Sequence, residues 1–225
     1  MVSLHLATSA AVCFIEPMNQ KQMRQIAKRV WLTESAEIKR LETTIDFDVF
    51  EQVAQLLAKH TGKVVTTAVG TSAVAARKLS HSLNCIEIPS FYLNPADAVH
   101  GGLGAVGQND IVFLISKGGG TVELVQLLEP LKQKKAFLIA ISEDEQSPLA
   151  LQSHLFIKVK VEKEPDPFNM LATASTLSVI ALCDALCITL MELKKYSQKE
   201  FARIHPAGAV GERLQHSLGE IDGKD

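Results

Sequence analysis

Short apolar runs, each stopped by a small or hydroxyl-bearing residue and each followed by a helical pattern, constrain this chain more than any other feature. Lys63–Val69 stops at Gly70, Ile111–Ile115 at Ser116, and Ala136–Ile141 at Ser142. Two further runs, Cys85–Tyr92 and Leu155–Val161, also read as strands. Helical stretches intervene at Ser72–Leu83 and Thr121–Leu131, with Asn94 and Pro95 placed as cap and first residue of another, Ser147-Pro148 opening a short one, and a long one over about Met170–Lys194. Strands alternating with helices form right-handed βαβ units, which need a parallel sheet covered on both faces. The fold class is therefore α/β: a three-layer α/β/α sandwich around a five-stranded parallel sheet, of the flavodoxin-like or Rossmann-like kind. Two amphipathic helices precede it. Met23, Ile26, Val30 and Trp31 mark one, and Phe47, Phe50, Val53, Leu56 and Leu57 the other, as simple packing or dimer contacts.

Composition agrees and excludes several functions. Apolar residues make up 47% of the 225 and aromatics only 5%, so the core is aliphatic, as helices on a buried sheet require. Lys and Arg total 23 against 25 Asp and Glu, a net charge of −2, which offers no general attraction to nucleic acid or anionic membranes. The apolar stretch 169–191 is interrupted by Thr173, Ser175, Thr176, Ser178 and Asp184, which reads as a buried helix rather than a membrane span. Cys13, Cys85, Cys183 and Cys187 make no CxxC pair and no zinc spacing with histidine, so they read as core residues in a reducing compartment, and no metal site is expected. Residues 1–18 lack the basic start of a secretory signal and read as an extension, with one domain over 19–225 and its core at about 43–214.

In open parallel sheets ligands sit beyond the carboxyl ends of the strands. The loops to inspect are thus Gly70-Thr71-Ser72 and Ser116-Lys117-Gly118-Gly119-Gly120-Thr121. Each places glycine and hydroxyls where a helix begins, which suits an anion held by free N–H groups and the positive end of the helix dipole. For the first loop an ordinary helix cap explains the same residues, and Lys117 can either supply charge or face solvent. The second lacks both GK[ST] and GxGxxG, which disfavours a nucleotide. Glu162, Glu164 and Asp166 precede the long helix as either a solvated loop or the source of a general base. His205, in a small-residue turn, and His100, beside Gly101 and Gly102, are titratable but each is equally an ordinary surface or packing residue.

Taken in order, GTS at 70–72, HGGLG at 100–104, SKGGGT at 116–121, KEPDPFNMLATAST at 163–176 and HPAGAVG at 205–211 resemble the sugar isomerase (SIS) domain of the arabinose-5-phosphate isomerase family. The resemblance covers roughly Thr43 to Leu214. It implies a five-stranded parallel sheet, a homo-oligomer (tetramer or dimer), a sugar phosphate as ligand, no cofactor and a cytoplasmic protein. It also implies that hydroxyls matching Ser72, Ser116 and Thr121 hold the phosphate, and that Glu164 and His205 handle protons and ring opening, the histidine often in a neighbouring subunit's site. The sequence departs from the family at Thr71, which stands for a lysine, at Lys117, Gly118 and Gly120 in the phosphate loop, and at Gly102, which stands for an aspartate. No cystathionine-β-synthase-type modules follow Gly211, so a SIS domain without them is expected.

The expected reaction is interconversion of an aldose and a ketose phosphate through an enediol. Glu164 would be the base, its pKa raised by partial burial, and His205 would open the ring. A non-catalytic sugar-phosphate sensor is the alternative.

Overall fold

A computed structural model describes residues 18–214. Helix α1 spans Gln20–Thr44 and opens on a capping box in which Asn19 and Gln22 exchange side-chain-to-backbone bonds. Helix α2, Phe47–Lys59, is capped by Asp46, whose carboxylate accepts from the N–H groups of Asp48 and Val49. The alternating part follows as β1 Val64–Ala68, α3 Ser72–Asn84, β2 Ser90–Tyr92, α4 Pro95–Ala98, β3 Ile111–Ile115, α5 Val122–Gln133, β4 Phe137–Ser142, α6 Pro148–Gln152, β5 Leu155–Lys158, α7 Ala174–Lys194 and α8 Gln198–Ile204. All five strands are parallel, in the order β2-β1-β3-β4-β5.

The period of two along each strand divides the core between the two faces. Ile111, Phe113 and Ile115 point to the side covered by α2, α3 and α7, whereas Val112 and Leu114 point to the side covered by α4, α5 and α6. Both faces are therefore apolar, and the expected sandwich is the one formed. The long apolar helix α7 has the length and hydropathy of a membrane span, but it packs against α1, α2 and α3 and buries Leu182, Cys183, Leu186, Cys187 and Leu190. Lys78 of α3 and Asp184 of α7 form an ion pair across this layer.

Two expectations need correction. The run from Cys85 to Tyr92 forms a strand only over Ser90–Tyr92, because Glu87 adopts a left-handed conformation (φ 55°) and the chain must turn before it can pair. The last long helix starts at Ala174 rather than Met170, since residues 164–173 are held in a loop described below. The apolar stripe of α1, read as packing or dimer contacts, stays open in the single chain: Met23 and Trp31 are 52% and 65% exposed, and the residue α1 buries is Glu37, which accepts a bond from the Glu162 N–H at 3.1 Å. Cys13 lies outside the described residues.

Phe113 is the largest fully buried side chain among the described residues and stands at the centre of the sheet. Phe113→Ala is expected to cost about 3–5 kcal/mol, to be read as a lowered denaturant midpoint with little change in slope.

Candidate functional site

Register builds the site. Ala68 is paired with Ile115 and Ile115 with Ile141, so β1, β3 and β4 end level and their loops emerge side by side. The sheet is built outward in both directions from β1 and β3, which makes their carboxyl ends the switch point of the topology. A cleft opens there, lined by Thr71 and Ser72 from the first loop, Ser116 and Lys117 from the second, Ser142 from the end of β4, and Ala172, Ser175 and Thr176 from the start of α7.

Helices α3 and α5 both present their N-termini here, and neither is capped from its own sequence. Thr71 and Thr121 occupy the cap positions, yet neither side chain bonds its helix, so the reading of Thr71 or Ser72 as an ordinary cap is corrected. The N–H groups of Ala73 and Val74 already donate to the Gly70 and Thr71 carbonyls, and those of Leu124 and Val125 to the Thr121 carbonyl, which leaves the N–H groups of Ser72, Val122 and Glu123 for an acceptor, with the positive ends of two dipoles behind them. Thr121 is instead engaged with Ser116, their hydroxyl oxygens 2.7 Å apart, while Ser116 Oγ also accepts from the Gly119 N–H at 3.1 Å.

The glycines of the second loop differ in what they permit. Gly119 has φ 66°, and a Cβ there would stand 2.1 Å from Ser147 Oγ, so the loop is pressed against the β4–α6 turn and only glycine fits. Its carbonyl accepts from the Leu149 N–H at 3.2 Å, and the Lys117 carbonyl from the Glu143 N–H at 2.9 Å. Gly118 and Gly120 face open space. Gly70, at φ 59°, turns the chain from β1 into α3.

Glu164 stands behind the cleft, 1% exposed, and does not line it. Its Oε1 accepts from Lys117 Nζ at 3.0 Å. Its Oε2 accepts from the Thr173 N–H at 3.0 Å, the Thr173 hydroxyl at 3.2 Å and the Ser175 N–H at 3.4 Å. The carboxylate thus caps α7 from a distance in sequence, where Thr173 makes no cap bond of its own. The expectation that burial raises its pKa is reversed. Burial does push it upward, but the bonds from Ser175 and Thr173 and the Lys117 ammonium outweigh it and hold the carboxyl at about 2.

The connection that carries Glu164 is rigid. Asn169, left-handed at φ 59°, accepts the Glu164 N–H at 2.6 Å, and Asp166 accepts from the N–H groups of Phe168, Met170 and Leu171 at 2.8–2.9 Å. Asp166 is accordingly the turn-former of this loop, and Phe168, Met170 and Leu171 are left 77%, 80% and 62% exposed.

The two histidines are not brought into the cleft. His100 is exposed after α4, on the carboxyl side of β2. His205 ends α8, whose Arg203 bonds Glu87 at 3.3 Å beyond the far end of α3, and α7 carries the chain about 30 Å from the cleft before α8 begins. Its ring stacks on Phe201 with centroids 4.0 Å apart. Since the Phe201 carbonyl 2.9 Å from Nδ1 can only accept, Nδ1 carries a proton and Nε2 offers its lone pair in the neutral ring. The cleft residues that sequence reasoning did not assign are Ser142, Ser175 and Thr176. Ser142 carried the same signal as Ser116, a hydroxyl ending an apolar run; the other two lie in the family-like motif at 163–176, but their place in the cleft depends on where α7 begins.

The SIS domain pattern matches residues 56–189. The chain belongs to the SIS-domain family. Among curated proteins this SIS domain is similar to arabinose 5-phosphate isomerase GutQ of Escherichia coli (strain K12), 31% identical over 198 residues that make up 88% of this chain and 61% of that protein. It therefore spans about three-fifths of the length of the curated relatives it matches. Among solved structures it is similar to a proposed sugar-phosphate isomerase from Listeria monocytogenes str. 4b F2365, with 43% identity, a TM-score of 0.84, and coverage of 85% of this chain and 100% of that one. It is also similar to c3406 of E. coli CFT073 in complex with arabinose 5-phosphate, with 31% identity, a TM-score of 0.81, and coverage of 84% and 100%.

Glu164 yields a pH-dependent prediction. Its folded pKa lies below the ordinary 4.5, so the stability it contributes is complete above about pH 5 and is lost as pH falls toward 2. Glu164→Gln is expected to cost about 2–4 kcal/mol at pH 7, and the gap to the parent should close on acidification; urea titrations at several pH values measure both. A gap independent of pH would show that the carboxylate's charge contributes nothing.

Proposed function

We propose that this SIS domain is an aldose–ketose sugar-phosphate isomerase acting through an enediol intermediate. The observation that carries the reading is the meeting of two uncapped helix N-termini with the hydroxyls of Ser72, Ser116 and Thr121 at one level sheet edge. Such a cradle suits a phosphate dianion through N–H and O–H donors without a metal ion. The GutQ similarity, and the arabinose 5-phosphate held in the c3406 complex, support a phosphorylated sugar as the ligand class and arabinose 5-phosphate as the first substrate to test.

With the phosphate in the cradle, the sugar extends along the cleft toward the start of α7. Proton transfer at C1 and C2 needs a group that titrates near neutrality. Glu164, ionised down to about pH 2 and engaged on both oxygens, does not suit that role. His205 is the candidate, since its Nδ1 faces the Phe201 carbonyl and its Nε2 can accept a proton. Because it stands at the far end of its own domain, His205 would serve the cleft of a neighbouring copy. The exposed Trp31 and Leu32 of α1 and the exposed loop Phe168–Leu171 supply the apolar surface that a homo-oligomer, dimer or tetramer, would bury.

A second reading, a sugar-phosphate sensor, gains support from the cleft of a single chain, whose described lining holds no histidine and no carboxylate. A panel of aldose and ketose 5- and 6-phosphates, followed by NMR, separates the two. Interconversion of one pair is expected, lost about 10²-fold or more in His205→Asn. Mixing His205→Asn with a cradle-disrupted Gly119→Val variant should restore part of the activity, since one mixed site then carries both intact parts. Binding without turnover of any pair would favour the sensor.

A further inference from the structure

Among the described residues the cleft has one charged side chain in its lining, Lys117, and that charge is already compensated. Nζ lies 3.0 Å from the buried Glu164 carboxylate, and the lysine side chain is 39% exposed. An ammonium has three donors. Glu164 takes one, which leaves two for the cleft. The backbone of Lys117 is fixed by the Glu143 N–H, so the side chain starts from a set point and ends at one.

This arrangement decides what Lys117 can serve. A phosphate bonded to Nζ would stand within about 6 Å of the Glu164 carboxylate, too close for a dianion when a cradle with no carboxylate in its lining lies nearby. A neutral carbonyl or hydroxyl oxygen suffers no such repulsion, and gains a charge-assisted bond. Resting on the sugar-phosphate reading above, we propose that Lys117 recognises the sugar end of the ligand, donating to its carbonyl or C2 oxygen, and that Glu164 is the residue that positions it. The sequence expectations placed Lys117 among the phosphate donors and Glu164 as the base; here both change role together. In the isomerase reading the same ammonium would stabilise the enediolate oxygen as negative charge develops there. The proton on Lys117 would stay in place, and the carbon-bound proton would move through another group.

Binding tests this whether or not the protein turns over its ligand. The probes are inorganic phosphate and whichever equilibrated pair binds tightest among arabinose/ribulose 5-phosphate and glucose/fructose 6-phosphate, each titrated calorimetrically. Lys117→Met should weaken the sugar phosphate about tenfold or more and phosphate less than about threefold. Glu164→Gln should shift the sugar phosphate in the same direction, and the double variant should bind no worse than Lys117→Met alone. Should Glu164→Gln fail to fold, Glu164→Asp, which keeps the charge but draws it back, replaces it. Parallel losses for both probes in Lys117→Met would make the lysine a phosphate counter-ion and overturn the proposal. So would an unchanged sugar phosphate, a double variant markedly worse than Lys117→Met, or no binding of any sugar phosphate by the parent protein. Retention of the predicted split with no isomerisation would remove the isomerase reading and leave this inference standing.

Discussion

Everything at the candidate site follows from the level ending of β1, β3 and β4. Parallel pairing sets neighbouring strands in even register, and here it leaves Ala68, Ile115 and Ile141 in one row. Each strand then releases its chain at the same height, and each following helix begins there with its N–H groups turned the same way. A shift of one residue in β3 would lift the Ser116 loop out of line and turn Phe113 from one core to the other. The two cores therefore guard the geometry of the cleft. Phe113 and Ile115 lock one face, Val112 and Leu114 the other, and none can move without moving the Ser116 loop.

Helix N-termini create a surplus of donors, and the fold handles the three at this edge differently. At α3 and α5 no side chain caps them, and the N–H groups of Ser72, Val122 and Glu123 keep no partner within the fold. At α7 they are satisfied from within by Glu164. That choice has two consequences. It makes the carboxylate a very weak base, because the ionised form is the one held by Thr173, Ser175 and Lys117. It also brings Lys117 to the mouth of the cleft with its charge balanced. The cleft thus has two chemically distinct ends, one of helix N-termini without side-chain caps and one with a compensated ammonium.

The rigidity of the 164–171 connection serves the same arrangement. Asp166 and Asn169 commit their side chains to backbone N–H groups, which fixes Glu164 within a tight loop. The exposed Phe168, Met170 and Leu171 follow from that geometry, since a loop stiffened from inside turns its apolar side chains outward.

The sequence by itself determined the α/β class, the count of five strands, the two leading helices, and two of the loops that line the cleft. These depend on periodicity and on glycine and hydroxyls at strand ends, which act over a few residues. It read Cys85–Tyr92 as a longer strand because β-branched and apolar residues outnumber the one left-handed turn at Glu87. It could not place the surroundings of Glu164, Lys117 and His205. A carboxylate's proton affinity depends on who donates to it, and the donors of Glu164 lie 47 residues before it and nine and eleven residues after it. Whether His205 reaches its own cleft depends on the length and direction of α7, and whether the α1 stripe is buried depends on what α7 leaves uncovered. Tertiary structure decided those questions, because charge, desolvation and reach are properties of neighbours in space and not of neighbours in sequence.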